Sequence, residues 1–320
     1  MASGIAGVVK YWRPTIRQDI RAMMRAAVAN AALRPVVNAA YAVLPLEQTA
    51  AFHSWFWDVF RDGRDGMSGG SWTVSFCGRS IRLPLRPESA GLDWGLSTAI
   101  LGHDVDIKQT YAALLRGPGR PGLFIDVGSN FGTHSILFVA NGIPTISLDP
   151  NSACNRYHAA LCAANGFEAR IETVAIGDRH GYVELSYPPG DPWLGSTDSD
   201  TSERLRTEHA VERCRVEQRM LDDYLPEVAD RRLLIKIDTE GNESRVLLGG
   251  RQMLEQKSPV VIFESWRGQQ RTELHEIFKT FGYRIATLPW DGQPASAKTL
   301  SAPEFEDQDA TNFVAIRLDA

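Results

Sequence analysis

The stretch LFIDVGSNFGTHS, residues 123–135, joins an apolar run to a turn that contains two glycines. The run ends at Asp126, and Gly128 and Gly132 follow with Asn130 between them. An apolar strand that passes through glycines into a helix is typical of the first βα turn of a nucleotide-binding α/β sheet. Ligands bind at the carboxyl ends of the strands in such sheets, so the stretch predicts a ligand site.

The spacing within this turn separates two classes of ligand. A dinucleotide turn reads Gly-x-Gly-x-x-Gly, because its second glycine lets the backbone approach a pyrophosphate. Here a polar side chain, Asn130, stands where a pyrophosphate needs bare backbone, and Asp126 favours an ammonium or hydroxyl group over a phosphate. A nucleoside with a cationic amino-acid end and no phosphate fits both observations, and S-adenosylmethionine has that structure.

A second carboxylate supports a nucleoside ligand. Asp149 follows the next apolar run, close to the offset of roughly 20 residues at which an acidic residue meets a ribose hydroxyl. The alternative is an ordinary turn aspartate before Pro150. Three residues at the end of the third strand are expected to lie near the adenine: Ala175, Ile176 and Asp178.

The alternation of apolar strands with helical stretches continues from residue 121 to the end of the chain. This pattern predicts an α/β fold with a doubly wound, seven-stranded, mostly parallel sheet of Rossmann-like type. The expected strands lie within residues 123–128, 144–150, 169–178, 232–241, 258–266, 283–289 and 312–318.

The chain is expected to divide near residue 118. Residues 1–118 are interpreted as an N-terminal helical and β-hairpin extension, which caps the acceptor side or contacts another copy of the chain. Residues 119–320 are predicted to form the ligand-binding domain. Within it, residues 188–214 are polar and unusually long for a connection, so they are either a lid over the site or a floppy excursion, and the lid is favoured.

The fourth predicted strand ends in charged residues. LLIKIDTEGNES, residues 233–244, places Lys236 and Asp238 on one face, since side chains alternate along a strand. A buried ammonium needs a partner, and Lys236 is expected to pair with Asp238 or Glu264. Together with Glu240, these residues either surround a methyl acceptor and take its hydroxyl proton, or form a structural ion cluster.

His134 is a further candidate general base, because an unperturbed imidazole exchanges protons near neutral pH. Its position after the glycine turn places it near the reacting centre of the expected ligand. A capping or packing role for this histidine is the alternative.

Composition excludes several classes of function. With 43% hydrophobic and 23% charged residues, the chain is typical of a globular protein, and a net charge of -5 argues against binding to nucleic acid. Four cysteines without a CxxC pair predict reduced thiols in the cytoplasm and no metal site. No apolar run is long enough for a transmembrane segment.

Three arginines of the N-terminal region, Arg17, Arg21 and Arg25, share a helix face, which is either solvated or a docking surface for a partner or membrane.

The sequence resembles the FkbM-type methyltransferases, a branch of the seven-strand, S-adenosylmethionine-dependent class. Four elements carry the resemblance, which covers roughly residues 120–265 well. They are DVGSNFGTHS (126–135), DPN (149–151), AIGD (175–178) and KIDTEGNESRVLLGG (236–250). Asp149 stands where the family usually has glutamate, and Ser129 where it usually has alanine.

The resemblance implies a class I methyltransferase fold and methyl transfer from S-adenosylmethionine to a hydroxyl of a sugar, glycan or natural product. A homo-oligomer, with contacts through the N-terminal extension, is one possible assembly. A non-catalytic binding module and, less favoured, an NAD-linked oxidoreductase are the alternatives. The expected catalytic residues are His134, Lys236, Asp238, Glu240 and Glu264. The expected cofactor-binding residues are Asp126, Gly128, Ser129, Asn130, Gly132, Thr133, Asp149, Pro150, Asn151, Ala175, Ile176, Asp178 and Asp238.

Overall fold

The computed structural model describes residues 14–61 and 69–317. Within these residues the chain packs into two compact units. The first unit runs to Ser75 and resumes as Ser80–Val105, and the second comprises Phe76–Arg79 and the chain from Asp106 onward. Two parts of the predicted extension, residues 1–13 and 62–68, fall outside the described residues.

The first unit is built mainly from helices. Its core contains Phe60, Trp72 and Trp94, whose rings pack at centroid distances of 5.1 to 5.7 Å. Burial of such large aromatic rings supplies most of the stabilisation that a small helical unit needs. Its elements are α1 (Pro14–Ala29), α2 (Arg34–Ala42), α3 (Leu46–Arg61), β1 (Ser71–Phe76), β2 (Arg79–Pro84) and α4 (Ala90–Gly102).

The basic face of α1 is partly engaged within this unit. Arg21 pairs with Asp58, and the guanidinium of Arg17 lies 5.5 Å from the centre of the Trp55 ring. Arg25 is exposed. Among the described helices, none has the length and apolar character that crossing a membrane requires.

The second unit alternates strands and helices. Its elements are α5 (Val105–Arg116), β3 (Leu123–Val127), α6 (Ser135–Ala140), β4 (Thr145–Leu148), α7 (Ser152–Ala164), β5 (Arg170–Glu172), β6 (Ala175–Ile176), β7 (Gly181–Tyr187), α8 (Ser199–Glu208), β8 (Glu212–Arg219), α9 (Leu225–Val228), β9 (Leu233–Ile237), α10 (Glu243–Leu248), α11 (Arg251–Lys257), β10 (Val260–Glu264), α12 (Arg271–Thr280), β11 (Tyr283–Thr287), α13 (Ala302–Asp307) and β12 (Asn312–Arg317).

The main sheet of the described chain has seven strands in the order β5-β4-β3-β9-β10-β12-β11. The five strands β5, β4, β3, β9 and β10 run parallel, and β12 runs antiparallel to both of its neighbours. The predicted doubly wound, mostly parallel seven-stranded sheet is therefore confirmed. The chain builds outward from β3 in one direction and then crosses to β9, so the strand order reverses between these two strands. Ligands bind at such a reversal, beyond the carboxyl ends of the strands.

The third predicted strand differs from the structure. Residues 169–178 do not form one strand, because β5 joins the main sheet while β6 pairs with β8 in a separate three-stranded sheet with β7. The polar connection predicted over residues 188–214 is also structured, since it contains α8 and the start of β8. A two-residue strand such as β6 is too short to show a period-two alternation. The sequence pattern therefore does not indicate that β6 pairs outside the main sheet.

Candidate active site

The glycine turn after β3 is wedged against neighbouring backbone. Gly128 has a φ of +78°, and a Cβ at this position would overlap the carbonyl oxygen of Asp238. Gly132 has a φ of +75°, and a Cβ there would overlap the ring of the buried His158. Only glycine fits either position, because a side chain adds both steric overlap and left-handed strain. The turn therefore abuts the end of β9.

Three polar side-chain atoms of this turn are buried and have no hydrogen-bond partner within the part of the chain that the structure describes. They are Asp126 Oδ1, Ser129 Oγ and Asn130 Oδ1. Leaving a buried polar atom without a partner costs about 1–3 kcal/mol, so a cluster of three indicates a polar ligand. The amino-acid end of S-adenosylmethionine supplies both donors and acceptors, and the turn fits it.

Asp149 connects the first two turns of the sheet. Its Oδ2 accepts a hydrogen bond from the Asn130 backbone N–H at 2.8 Å, and its Oδ1 accepts one from the Asn151 N–H at 2.7 Å. Burial raises the pKa of this carboxyl to about 6, against the lowering effect of the two backbone N–H groups. Each carboxylate oxygen can accept a second hydrogen bond, so Asp149 can hold the turns and still receive ribose hydroxyls.

Asn155 supports Asp149 from α7, a contact that the sequence patterns did not predict. Its Nδ2 donates to the Asp149 carbonyl at 2.8 Å and to Thr173 Oγ1 at 3.0 Å. Its Oδ1 is buried and accepts no hydrogen bond from any residue that the structure describes. It lies one helical turn after Asn151, whose side chain caps α7 by accepting from the Ala153 N–H. That spacing of four residues was the available signal, since such residues share a helix face.

The remaining expected cofactor residues have varied surroundings. Ala175 and Ile176 are buried in the small sheet, whereas Asp178 is exposed and Thr133 and Pro150 are half-buried. A Cβ on Gly249 would overlap the carbonyl of Gly177, so the AIGD and LLGG segments meet backbone to backbone. This contact connects two segments that the sequence reasoning treated separately.

The carboxyl ends of β9 and β10 bring three carboxylates together. One oxygen each from Asp238, Glu240 and Glu264 lies within 4.8 Å of the others. Lys236, only 4% exposed, donates to Asp238 Oδ2 at 2.7 Å, so Asp238 is its ion-pair partner. Because Lys236 lies in register with Asp126 on the adjacent β3, the cluster adjoins the glycine turn.

Burial and mutual repulsion raise the pKa values of two carboxyls in the cluster. Burial raises the pKa of Glu240 to about 7, and the negative charges of Asp238 and Glu243 add to that effect. Burial, followed by the charges of Asp238 and Glu240, raises the pKa of Glu264 to about 9. A carboxyl with a pKa near 7 suits proton transfer at neutral pH. The oxygens are also spaced closely enough to ligate one divalent cation.

Glu243 holds the loop that presents Glu240. Its Oε1 accepts hydrogen bonds from the backbone N–H and the hydroxyl of Thr239, both at 2.8 Å, and from the Gly241 N–H at 3.3 Å. This loop keeps Glu240 in a left-handed conformation with a φ of +55°. Glu243 lies within the KIDTEGNESRVLLGG element of the sequence, and its position three residues after Glu240 is the local signal for this role.

A cavity of about 290 Å³ opens beside the cluster. The segment at 188–214 forms part of its wall, because Ser196 Oγ donates to the Glu240 carbonyl at 2.9 Å and α8 contributes two lining residues. The lid interpretation stays a prediction. The cavity is lined by Thr201, Arg204, Glu240, Gly241, Glu243, Glu264, Ser265, Trp266, Arg267, Gln269, Gln270 and Leu274.

His134 lies in a different environment. It is 7% exposed, with Nε2 at 3.4 Å from Lys108 Nζ and Nδ1 at 3.2 Å from the Tyr111 hydroxyl. Both ring nitrogens are thus engaged by α5, and the cluster of three carboxylates does not include this residue. Its role as a base stays a prediction.

The family model for the methyltransferase FkbM domain matches residues 126–285, which is half of the chain. No curated protein sequence matches. Among solved structures, the chain is similar to the methyltransferase FkbM from Methylobacillus flagellatus KT, with 13% identity and a TM-score of 0.39 over 71% of this chain and 54% of that one.

A second similar structure is the S-adenosylmethionine-dependent methyltransferase from Agrobacterium tumefaciens, with 12% identity and a TM-score of 0.35 over 77% of this chain and 69% of that one. The chain thus spans about half the length of the Methylobacillus protein and about two thirds of the Agrobacterium protein. The matched region contains the glycine turn, Asp149 and the carboxylate cluster. The chain therefore belongs to the FkbM methyltransferase domain family.

Proposed function

We propose that the protein is an S-adenosylmethionine-dependent O-methyltransferase that acts on a hydroxyl of a sugar, glycan or natural product. The observation that carries the proposal is the position of Glu240. Its carboxyl, with a pKa of about 7, lines a cavity, and the carbonyl of Asp238, two residues earlier, abuts the glycine turn. That turn holds buried polar atoms that have no partner among the described residues. One group for proton transfer and one ligand turn therefore adjoin at the reversal of strand order.

The residues of the first two turns would hold the cofactor. Asp149 would accept hydrogen bonds from the ribose hydroxyls, and Ser129 and Asn130 would bind the amino-acid end through their unpartnered oxygens. When bound, S-adenosylmethionine supplies a methyl group on a positively charged sulfur, which becomes a neutral thioether as the methyl group leaves. The protein contributes orientation and a fixed electrostatic environment to this displacement.

Glu240 would receive the hydroxyl proton while the acceptor oxygen forms its bond to the methyl carbon. A pKa of about 7 leaves a large share of this carboxyl ionised at neutral pH, as a general base requires. Glu264, with its pKa raised to about 9, stays protonated there and does not add a second full negative charge beside the base. Lys236 offsets the charge of Asp238.

The cavity also limits the size and the polarity of the acceptor. Its volume of about 290 Å³ lies at the small end of ligand pockets, which favours a single sugar ring or a group of similar size. The polar wall of glutamates, arginines and Gln270 suits a hydroxylated compound. We place its action in the cytoplasm, since the sequence predicts reduced thiols at all four cysteines.

Isothermal titration with S-adenosylmethionine, followed by competition with S-adenosylhomocysteine, tests the cofactor. Binding heat that S-adenosylhomocysteine suppresses is expected, and its absence would sink the proposal. Incubation with labelled cofactor and a panel of glycosides and hydroxylated natural products then tests methyl transfer.

Replacement of Glu240 by glutamine tests the base. Glu240→Gln should keep the affinity for S-adenosylhomocysteine and lower the transfer rate by roughly 10²- to 10⁴-fold. Glu255→Gln, at an exposed position of α11, is the matched control and should transfer at the parent rate. A Glu240→Gln protein as active as this control would remove Glu240 from the mechanism.

A further inference from the structure

Gln270 has an unused hydrogen-bond acceptor beside the cavity. It precedes α12 and lines the cavity together with Glu240 and Glu264. Its Oε1 is buried and accepts no hydrogen bond within the described part of the chain. We infer that Gln270 contacts the methyl acceptor, and that the acceptor carries a hydroxyl or amino group close to the hydroxyl that is methylated.

The orientation of the Gln270 amide is determined by its other end. Nε2 donates to the Gly241 carbonyl at 2.7 Å, and a carbonyl oxygen only accepts. The amide nitrogen must therefore face Gly241, which leaves Oε1 as the end without a partner. Gly241 directly follows Glu240, so the free amide oxygen lies in the vicinity of the candidate base.

The backbone at these positions is unusual in the same way. Gln270 has a φ of +50° and Glu240 a φ of +55°, although neither is glycine. Left-handed backbone is strained for residues with long side chains, and such strain concentrates at functional sites. Glycine would relieve the strain at either position but would remove the side chain from the cavity.

The two arginines of the cavity interact with acidic groups. Arg267 pairs with Asp307 and Asp309, and the charge of Arg204 acts on Glu240. The amide oxygen of Gln270 is only an acceptor, so its ligand must donate. A hydroxyl or amino group of the acceptor supplies that donor, whereas an ether or a carboxylate does not.

This inference rests on the proposed function, since it takes the cavity to be the acceptor site. The probes are trans-1,2-cyclohexanediol and cyclohexanol, which differ by one neighbouring hydroxyl. Ligand-observed NMR titrations in the presence of S-adenosylhomocysteine measure their affinities. The parent protein should bind the diol about threefold to tenfold more tightly, as one added hydrogen bond predicts.

Two variants separate contact from structure. Gln270→Leu should lose the preference for the diol while its affinity for cyclohexanol stays unchanged, whereas a purely structural role would weaken both probes equally. Gln270→Asn, which tolerates left-handed backbone, withdraws the oxygen by one carbon and should also lose the preference. Equal affinities of the parent for the two probes, no binding of the diol, or a variant that keeps the preference would overturn the inference.

These titrations involve no methyl transfer. A protein that prefers the diol but transfers no methyl group would retain this contact and refute the proposed activity. A protein that methylates an acceptor but binds both probes equally would support the proposed activity and refute the contact with Gln270.

Discussion

Replacement of Gly128 by alanine is the sharpest test of the site. The structure assigns two separate costs to the new Cβ, a left-handed φ of +78° and overlap with the Asp238 carbonyl. Gly142 provides a matched control, because its φ is +73° and a Cβ there would meet nothing within 4 Å. The two substitutions thus share the conformational cost and differ only in the overlap.

The expected magnitudes follow from these costs. Gly142→Ala should lower the free energy of unfolding by about 1 kcal/mol, the cost of left-handed backbone for a residue with a Cβ. Gly128→Ala adds about 1–3 kcal/mol of overpacking, since the Asp238 carbonyl belongs to backbone and has little freedom to move. At about 2–4 °C per kcal/mol, the melting temperature should fall by about 2–4 °C for Gly142→Ala and by roughly 5–15 °C for Gly128→Ala.

Thermal unfolding with and without S-adenosylhomocysteine measures both the stability of each variant and the ability of the turn to bind the ligand. At a hundredfold excess over Kd the ligand should stabilise the parent and Gly142→Ala by about 2.7 kcal/mol. Gly128→Ala should lose most of that gain, because displacement of the turn disturbs the unpartnered atoms of Ser129 and Asn130. If Gly128→Ala is no less stable than Gly142→Ala, or if the ligand stabilises both equally, the close approach of turn and strand is refuted.

Three further predictions concern charged residues. Asp149→Ala should weaken binding of S-adenosylhomocysteine at least tenfold in calorimetric titration, with Asp149→Asn intermediate because it keeps one acceptor oxygen; parent-like affinity of the alanine variant would remove the ribose contact. The folded pKa values of Glu240 and Glu264 lie above the unfolded value, so their stabilising effect is full below about pH 4.5 and is lost as the pH rises through about 7 and 9. The melting temperature should therefore fall between pH 5 and 9, and Glu264→Gln should flatten that fall; an unchanged slope would contradict it. Lys236→Met should cost roughly 3 kcal/mol in urea unfolding by leaving Asp238 unpaired, while the double variant Lys236→Met with Asp238→Asn should recover part of the loss; no recovery would show that the ion pair is not the cause.

The sequence was sufficient for most of the main sheet and for the glycine turn. The apolar runs at β3, β4, β9 and β10 are long enough to show their character locally, and the glycine spacing reports a backbone requirement that holds wherever the turn lies. The pairing of Lys236 with Asp238 also followed from alternation along one strand, although Glu264 remained open as a partner.

The small sheet and the partners of His134 could not be predicted from local sequence patterns. β6 has two residues and pairs with β8 about 40 residues later, so no periodic signal connects them. His134 is engaged by Lys108 and Tyr111 on α5, a helix that the sequence did not connect with the glycine turn.

By itself the sequence determined the alternation of strands and helices, the glycine turn and the acidic residues at the strand ends, because each depends on neighbours along the chain. Only the tertiary structure decided which of those residues meet. Glu240 and Glu264 are close because β9 and β10 are adjacent, and Gln270 reaches Gly241 because α12 begins beside the same cavity. Burial and mutual charge then set the pKa values, and both are properties of packing rather than of residue order.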